Sequence, residues 1–235
     1  ALIALSLAPL ALHWRALDRH EFMLLRDYVH DTLRLVEPDA VIVTGRWDSF
    51  SSPALYYQTV EGLRPDVVVV DLGMLASPVL DRQLARRAPE LVAACRDALD
   101  AVATVARLAE AGRPYDIAAA RETFRRMRRR LLEESVRRRP TYATADLAGQ
   151  PLLGGYRLIP EGLLLRVAHT DSLRRLPVPD LAGPRGTAGA PRDARERAIL
   201  REYRLMLESR ARYLESHGET TTALEYLERA AALGR

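Results

Sequence analysis

Three acids, an arginine and a run of hydroxyls gather around short apolar stretches of this 235-residue chain. Thr44, Gly45, Arg46, Asp48 and Ser49 follow the run Ala40–Val43, with Ser51 and Ser52 just beyond. Asp71 follows a second run, Val67–Val70, and Asp146 lies near the end of Thr141–Leu147. If these runs are neighbouring strands, the polar groups meet at their carboxyl ends, where open α/β sheets take their ligands. The chemistry on offer there is anion binding. Arg46 supplies a fixed positive charge and the serines supply hydroxyl donors. A helix starting at Pro53 would add free N–H groups and the positive end of its dipole. Thr44, Gly45, Arg46, Asp48, Ser49, Asp71 and Asp146 are therefore the candidate ligand-binding residues. The loop is neither a GxGxxG nor a Walker loop. Asp48 has a plain alternative as a loop-capping residue, and Ser52 as a helix N-cap. No catalytic residue stands out, since no Ser/His/Asp order or paired-carboxylate motif is present. The five histidines lack metal-ligand spacing, so neither a metal nor a cofactor is expected.

The elements that must position these groups form an α/β pattern. Residues 18–36 read as an amphipathic helix, with Phe22, Leu25, Val29, Leu33 and Val36 at three- and four-residue steps. Glu37-Pro38-Asp39 ends it. Ala40–Thr44 reads as a buried strand, Gly45 as a sharp turn, and Ser52-Pro53 as the start of a helix reaching about Leu63. Val67–Leu72 is β-branched without alternation, as in a strand covered on both faces. Two such strands joined by a helix should be parallel with a right-handed crossover. Pro78–Arg139 reads as a long helical insertion. Thr141–Leu147 and Leu163–Ala168 read as further strands. The expected fold is a small, mostly parallel sheet with flanking helices.

Composition narrows the partners. The hydrophobic fraction of 48% supports a sizeable core. All 35 basic residues are arginine, as a GC-rich coding bias would give, and the formal charge is only +4. Charges of both signs are interspersed, so no nucleic-acid partner is expected. The single cysteine, Cys95, excludes an intrachain disulfide. RRMRRR and RRR within 125–139 read either as a solvated face, with Glu133 and Glu134 as partners, or as a basic face for an anionic lipid surface.

The ends suggest four regions. Residues 1–14 carry no charge, and Trp14-Arg15 suits a membrane-interface exit. The reading is that 1–16 is the end of a transmembrane helix, with a buried helix of a soluble domain as the alternative. An α/β domain follows over 17–170, with its helical insertion at about 78–139. A linker rich in proline and glycine covers 171–191. The segment 192–235 reads as a helix pair whose ALEYLERAAAL tail has tetratricopeptide-like small-residue packing.

The segment 44–70 resembles the C-terminal soluble part of the DUF2723 membrane proteins, relatives of the transmembrane protein 260 O-mannosyltransferases. The matching residues are Gly45, Asp48, Ser49, Phe50, Tyr56-Tyr57-Gln58, Glu61-Gly62 and Arg64-Pro65-Asp66-Val67. A second set is Arg139-Pro140, Tyr142, Pro160-Glu161-Gly162-Leu163-Leu164 and Arg166-Val167. Arg46-Trp47 replaces an acidic pair of the family's loop, which takes an acidic ligand role there out of the pattern. The resemblance implies a multi-spanning glycosyltransferase of the GT-C type whose catalytic acid lies in its membrane portion. This chain would then be its extracytoplasmic domain, on the periplasmic or cell-surface side, accessory or acceptor-binding and not catalytic alone. Its partners would be the membrane-embedded part of the same polypeptide and a protein or glycan acceptor. Two alternatives stand beside this: a stand-alone α/β enzyme binding a sugar phosphate or nucleotide sugar in the strand-end pocket, and a protein-interaction scaffold built on the C-terminal helix pair.

Overall fold

The structure, a computed structural model, describes residues 23–183 and 194–233. The expected membrane-helix end, 1–16, lies outside the described residues. No helix among the described residues is long and apolar enough to cross a membrane.

Among the described residues five strands make one sheet: β1 (Val41–Thr44), β2 (Val68–Asp71), β3 (Thr141–Ala143), β4 (Arg157–Glu161) and β5 (Leu164–Ala168), in the order β2-β1-β3-β5-β4. β1 runs parallel to both neighbours, with Val41 opposite Val68 and Thr141. The β4–β5 hairpin joins through β5, antiparallel to β3, with Tyr142 opposite Arg166. The expected α/β sheet is present, parallel in its three first strands and mixed at the hairpin. Among the described residues eight α-helices flank it: α1 (Leu24–Arg34), α2 (Ser52–Val60), α3 (Pro78–Arg87), α4 (Pro89–Ala94), α5 (Arg96–Glu110), α6 (Ile117–Arg138), α7 (Ala194–Ser216) and α8 (Thr220–Ala232).

The strands alternate between two cores. Ile42, Val69 and Tyr142 pack with α1, α7 and α8, while Val41, Val43, Val68, Val70 and Ala143 pack with α3 to α6. Burial on both faces explains why β1 and β2 are apolar without a break. The chain moves from β1 outward to β2 through α2, then back past β1 to β3 through α3–α6. Because right-handed crossovers in opposite directions use opposite faces, the two connections cover the two sides of the sheet. The order therefore reverses between β1 and β3, which makes their carboxyl ends the topological switch point.

Several boundaries differ from the sequence reading. The strand at Thr141 stops at Ala143, and Ala145–Leu147 is a 3-10 turn, so Asp146 sits on a turn. β4 was not foreseen as a strand, because Pro160 marks a turn in sequence. Proline is tolerated here because β4 is the sheet's edge. The insertion is four helices, interrupted ahead of Pro89, at Cys95 and over 111–116. Residues 171–183 form a strap between α1 and the helix pair. Asp31 accepts from the N–H groups of Ala182 (2.9 Å) and Gly183 (3.2 Å) and from the Tyr203 hydroxyl (2.9 Å). Arg210, fully buried on α7, donates to the carbonyls of Pro160 and Arg174. α7 and α8 thus share the core of α1 and the sheet.

Candidate functional site

The strand ends bring Thr44, Gly45, Arg46 and Asp146 together, and place Asp71 one strand away. Arg46 leaves β1 and turns back across the switch point. Its Nε donates to Asp146 Oδ1 at 2.8 Å and its NH2 donates to Glu202 Oε2 on α7 at 2.9 Å. Thr44 Oγ1, buried, accepts from the Arg46 N–H at 3.0 Å and fixes the turn. The Tyr28 hydroxyl on α1 stands near both Arg46 and Glu202. Burial, reinforced by the Glu202 charge, holds it well above its usual pKa. Burial likewise raises the Glu202 carboxyl, against the pull of Arg46. For Arg46, desolvation works against the charged form, but the charges of Glu202, Tyr28 and Asp146 outweigh it and raise its pKa. The expected cation is therefore present, clamped between two carboxylates. The switch-point crevice is filled by this internal cluster.

Gly45 serves a different purpose from the one expected. It is not among the left-handed residues. A Cβ there would stand 2.9 Å from Asp146 Oδ2, so the glycine makes room for the carboxylate rather than for a special backbone angle. The expected helix N-terminus at Pro53 is also displaced. A π-helical turn, Trp47–Ser51, precedes α2 without a gap, and the N–H groups of Phe50 and Ser51 both donate to the Arg46 carbonyl. The Ser52 N–H donates to the Trp47 carbonyl. These amides are committed to the chain, and the free donors of the sequence reading are not at Pro53. Ser52 makes no capping bond, and Ser51 donates its hydroxyl to Asp71 Oδ2 at 2.6 Å. Asp71 Oδ1 accepts the Gly73 N–H at 2.8 Å. Asp48 is exposed and makes no side-chain hydrogen bond or ion pair among the described residues, and Ser49 beside it is partly exposed.

Asp71 and Ser51 border a cavity of about 20 Å³ with Trp47, Leu55, Ser77 and Gln83. That is room for about one water molecule. Among the described residues no group of three or more His, Cys, Asp or Glu side chains could hold a metal ion.

Sequence reasoning missed Glu202 and Tyr28. A signal for Glu202 exists: the buried stripe of α7, Ile199, Tyr203, Met206, Leu207 and Leu214, is interrupted by Glu202 and Arg210 on the same face. Charges on a buried stripe require partners. Several residues of the family resemblance turn out to be structural ties. Gln58 Nε2 donates to the carbonyls of Arg64 (3.0 Å) and Val67 (2.9 Å). Arg64 donates to the carbonyls of Leu33, Val36 and Glu37 and forks onto Asp66. Arg139 donates to Glu90 at 2.7 Å, and the Tyr142 hydroxyl donates to Glu37 at 3.1 Å. Compared with protein-family models, curated proteins and solved structures, the chain matches none.

Proposed function

We propose that the chain is the extracytoplasmic domain of a membrane glycosyltransferase of the GT-C type, accessory or acceptor-binding, with the sugar-transfer chemistry carried by a membrane portion of the same polypeptide. The observation that carries this reading is how the two resembling segments sit. They lie far apart in sequence, yet the first links β1 to β2 and the second runs through β3, β4 and β5 of the same sheet. Their matching polar residues, Gln58, Arg64, Asp66, Arg139 and Tyr142, tie those strands to α1 and to the α3–α4 segment. A motif set that builds one contiguous sheet behaves as the signature of a domain. Its strand-end acids support the non-catalytic part of the reading, because Asp146 and Glu202 face Arg46 and Asp71 is taken by Ser51 and Gly73.

The stand-alone enzyme alternative requires a sugar phosphate at the strand ends. Pockets for small molecules measure roughly 300–1,000 Å³, against about 20 Å³ beside Asp71. The test of the proposal is the reading frame that encodes Ala1. Several spanning segments upstream are expected, with this domain protected from cytoplasmic protease in membrane vesicles. A frame that encodes no spanning segment overturns it.

A further inference from the structure

Away from the strand ends, α6 and the turn before β4 enclose a groove of about 670 Å³. One wall is Arg125, Arg128 and Arg129. The spacings i, i+3 and i+4 put all three on one face of the helix. The opposite side carries the rings of Tyr156 and His169, with centroids 5.2 Å apart. Glu133, Gln150, Pro151, Leu152 and Gly155 complete the lining.

Four arginines late in α6 and just past its end have acidic partners. Arg130, Arg137 and Arg138 all pair with Glu134, and Arg139 pairs with Glu90. These are spent on holding the helix. The groove arginines are balanced more thinly. Arg125 pairs with Glu122 one turn back, and Arg128 NH2 donates to the Leu72 carbonyl at 3.1 Å. Arg128 Nε is buried without an acceptor. Arg129 is exposed and makes no ion pair or hydrogen bond among the described residues, although Glu133 lies one turn on. Like charges at these spacings repel one another, and an anion between them removes that cost.

We propose that this groove binds a phosphate-bearing ligand with a ring attached, the phosphate on Arg125, Arg128 and Arg129 and the ring against Tyr156 and His169. Guanidinium groups match phosphate oxygens with paired donors, and an aromatic wall takes the apolar face of a sugar or similar ring. The volume falls within the usual range for a small-molecule site. The same phosphate chemistry can come from a soluble sugar phosphate or from a lipid headgroup. The site stands on the groove's geometry and holds whatever the domain is attached to.

The experiment is calorimetry of the purified chain against inorganic phosphate, glucose 1-phosphate and uncharged glucose at low salt, beside flotation with phosphatidylcholine vesicles with and without phosphatidylinositol. Glucose 1-phosphate is expected to bind more tightly than phosphate, and glucose not at all. Arg129→Gln is expected to weaken binding about tenfold, and Arg125→Gln with Arg129→Gln further. Both positions are exposed, so thermal melts of these variants should match the parent. Flotation that needs phosphatidylinositol and is lost in the double variant assigns the phosphate to a headgroup. Equal affinity for phosphate and glucose 1-phosphate overturns the part given to the rings. Absence of binding in both arms, or binding indifferent to the arginine variants, overturns the site.

Discussion

Removing Arg46 leaves Glu202 buried without its counter-ion, and the cost of that depends on pH. Folding raises the Glu202 carboxyl above its ordinary 4.5, chiefly by burial. Such a group favours the fold while protonated, and that contribution is lost as pH rises through the folded value. Arg46→Met takes away the charge that limits the loss. The variant should be close to the parent at pH 4 and less stable by about 3 kcal/mol at pH 7. Urea unfolding at both values checks this, and an equal loss at pH 4 and pH 7 would contradict it. Replacing Glu202 by Leu in the same variant should recover most of the stability, since an apolar pair often substitutes for a buried ion pair. Gly45→Ala pushes the added methyl to 2.9 Å from Asp146 Oδ2. The carboxylate can swing away, so a cost of about 1 kcal/mol is expected by the same measurement. In sequence Arg46 and Asp146 were legible only as polar groups gathered near the same strand ends, not as partners of one another. Glu202 was not legible there, because nothing in a linear sequence places the middle of α7 over β1.

Between elements, the connection from α2 to β2 acts as a clip on the end of α1. Arg64 holds a left-handed backbone angle, φ 44°, which a non-glycine residue keeps only when its surroundings compel it. The compulsion is visible: its guanidinium satisfies the carbonyls that close α1, at 2.7 Å to Leu33 and 3.0 Å to Val36. Arg64→Ala should destabilise by about 2–3 kcal/mol, measured by thermal or urea melts, because it leaves helix-end carbonyls without donors. Asp66 gives the clip a pH dependence. The Arg64 guanidinium lowers its carboxyl to about 2. A lowered acid contributes stability above its unfolded value, near 3.9, and loses it as pH falls toward the folded one. Asp66→Asn should therefore cost about 1 kcal/mol at neutral pH, after allowing for its partial exposure, and almost nothing at pH 2. A loss that persists at pH 2 would place the effect elsewhere. The short elements explain what the sequence could and could not show. β1 and β2 were readable as unbroken β-branched runs between Pro/Gly punctuation. β4 was not, because the residues of Arg157–Glu161 become a strand only by pairing with β5 at the edge. The π turn at Trp47–Ser51 was hidden for a similar reason, since its 47–52 sequence also satisfies an ordinary N-cap pattern.

For the molecule as a whole, the C-terminal helix pair decides whether it behaves as one unit or two. In sequence a proline- and glycine-rich stretch precedes the pair, and its tetratricopeptide-like tail left open whether it caps the main domain or begins a repeat array. Yet Ile199, Tyr203, Met206, Leu207, Ala211, Leu214, Ala223, Tyr226 and Ala230 are all buried in the core that also holds α1 and Ile42. The strap is fixed at both sides: to α1 through Asp31, and to the helices through Arg229 donating to the Pro179 carbonyl at 3.2 Å and Tyr226 to Pro177 at 3.3 Å. Burial of an apolar side chain of this size is worth roughly 1.5–3 kcal/mol. Losing most of these at once exceeds the 5–15 kcal/mol by which a typical domain is stable. Ending the chain after Gly183 should therefore leave no folded remainder. The expected outcome is loss of the cooperative melt, strong binding of a hydrophobic dye, and collapse of near-ultraviolet circular dichroism from the buried tyrosines. The intact chain should instead melt in one transition by both dichroism and calorimetry. A truncated chain that keeps a sharp transition of its own would show that β1–β5 and α1–α6 are self-sufficient, and that the helix pair is an appendage after all.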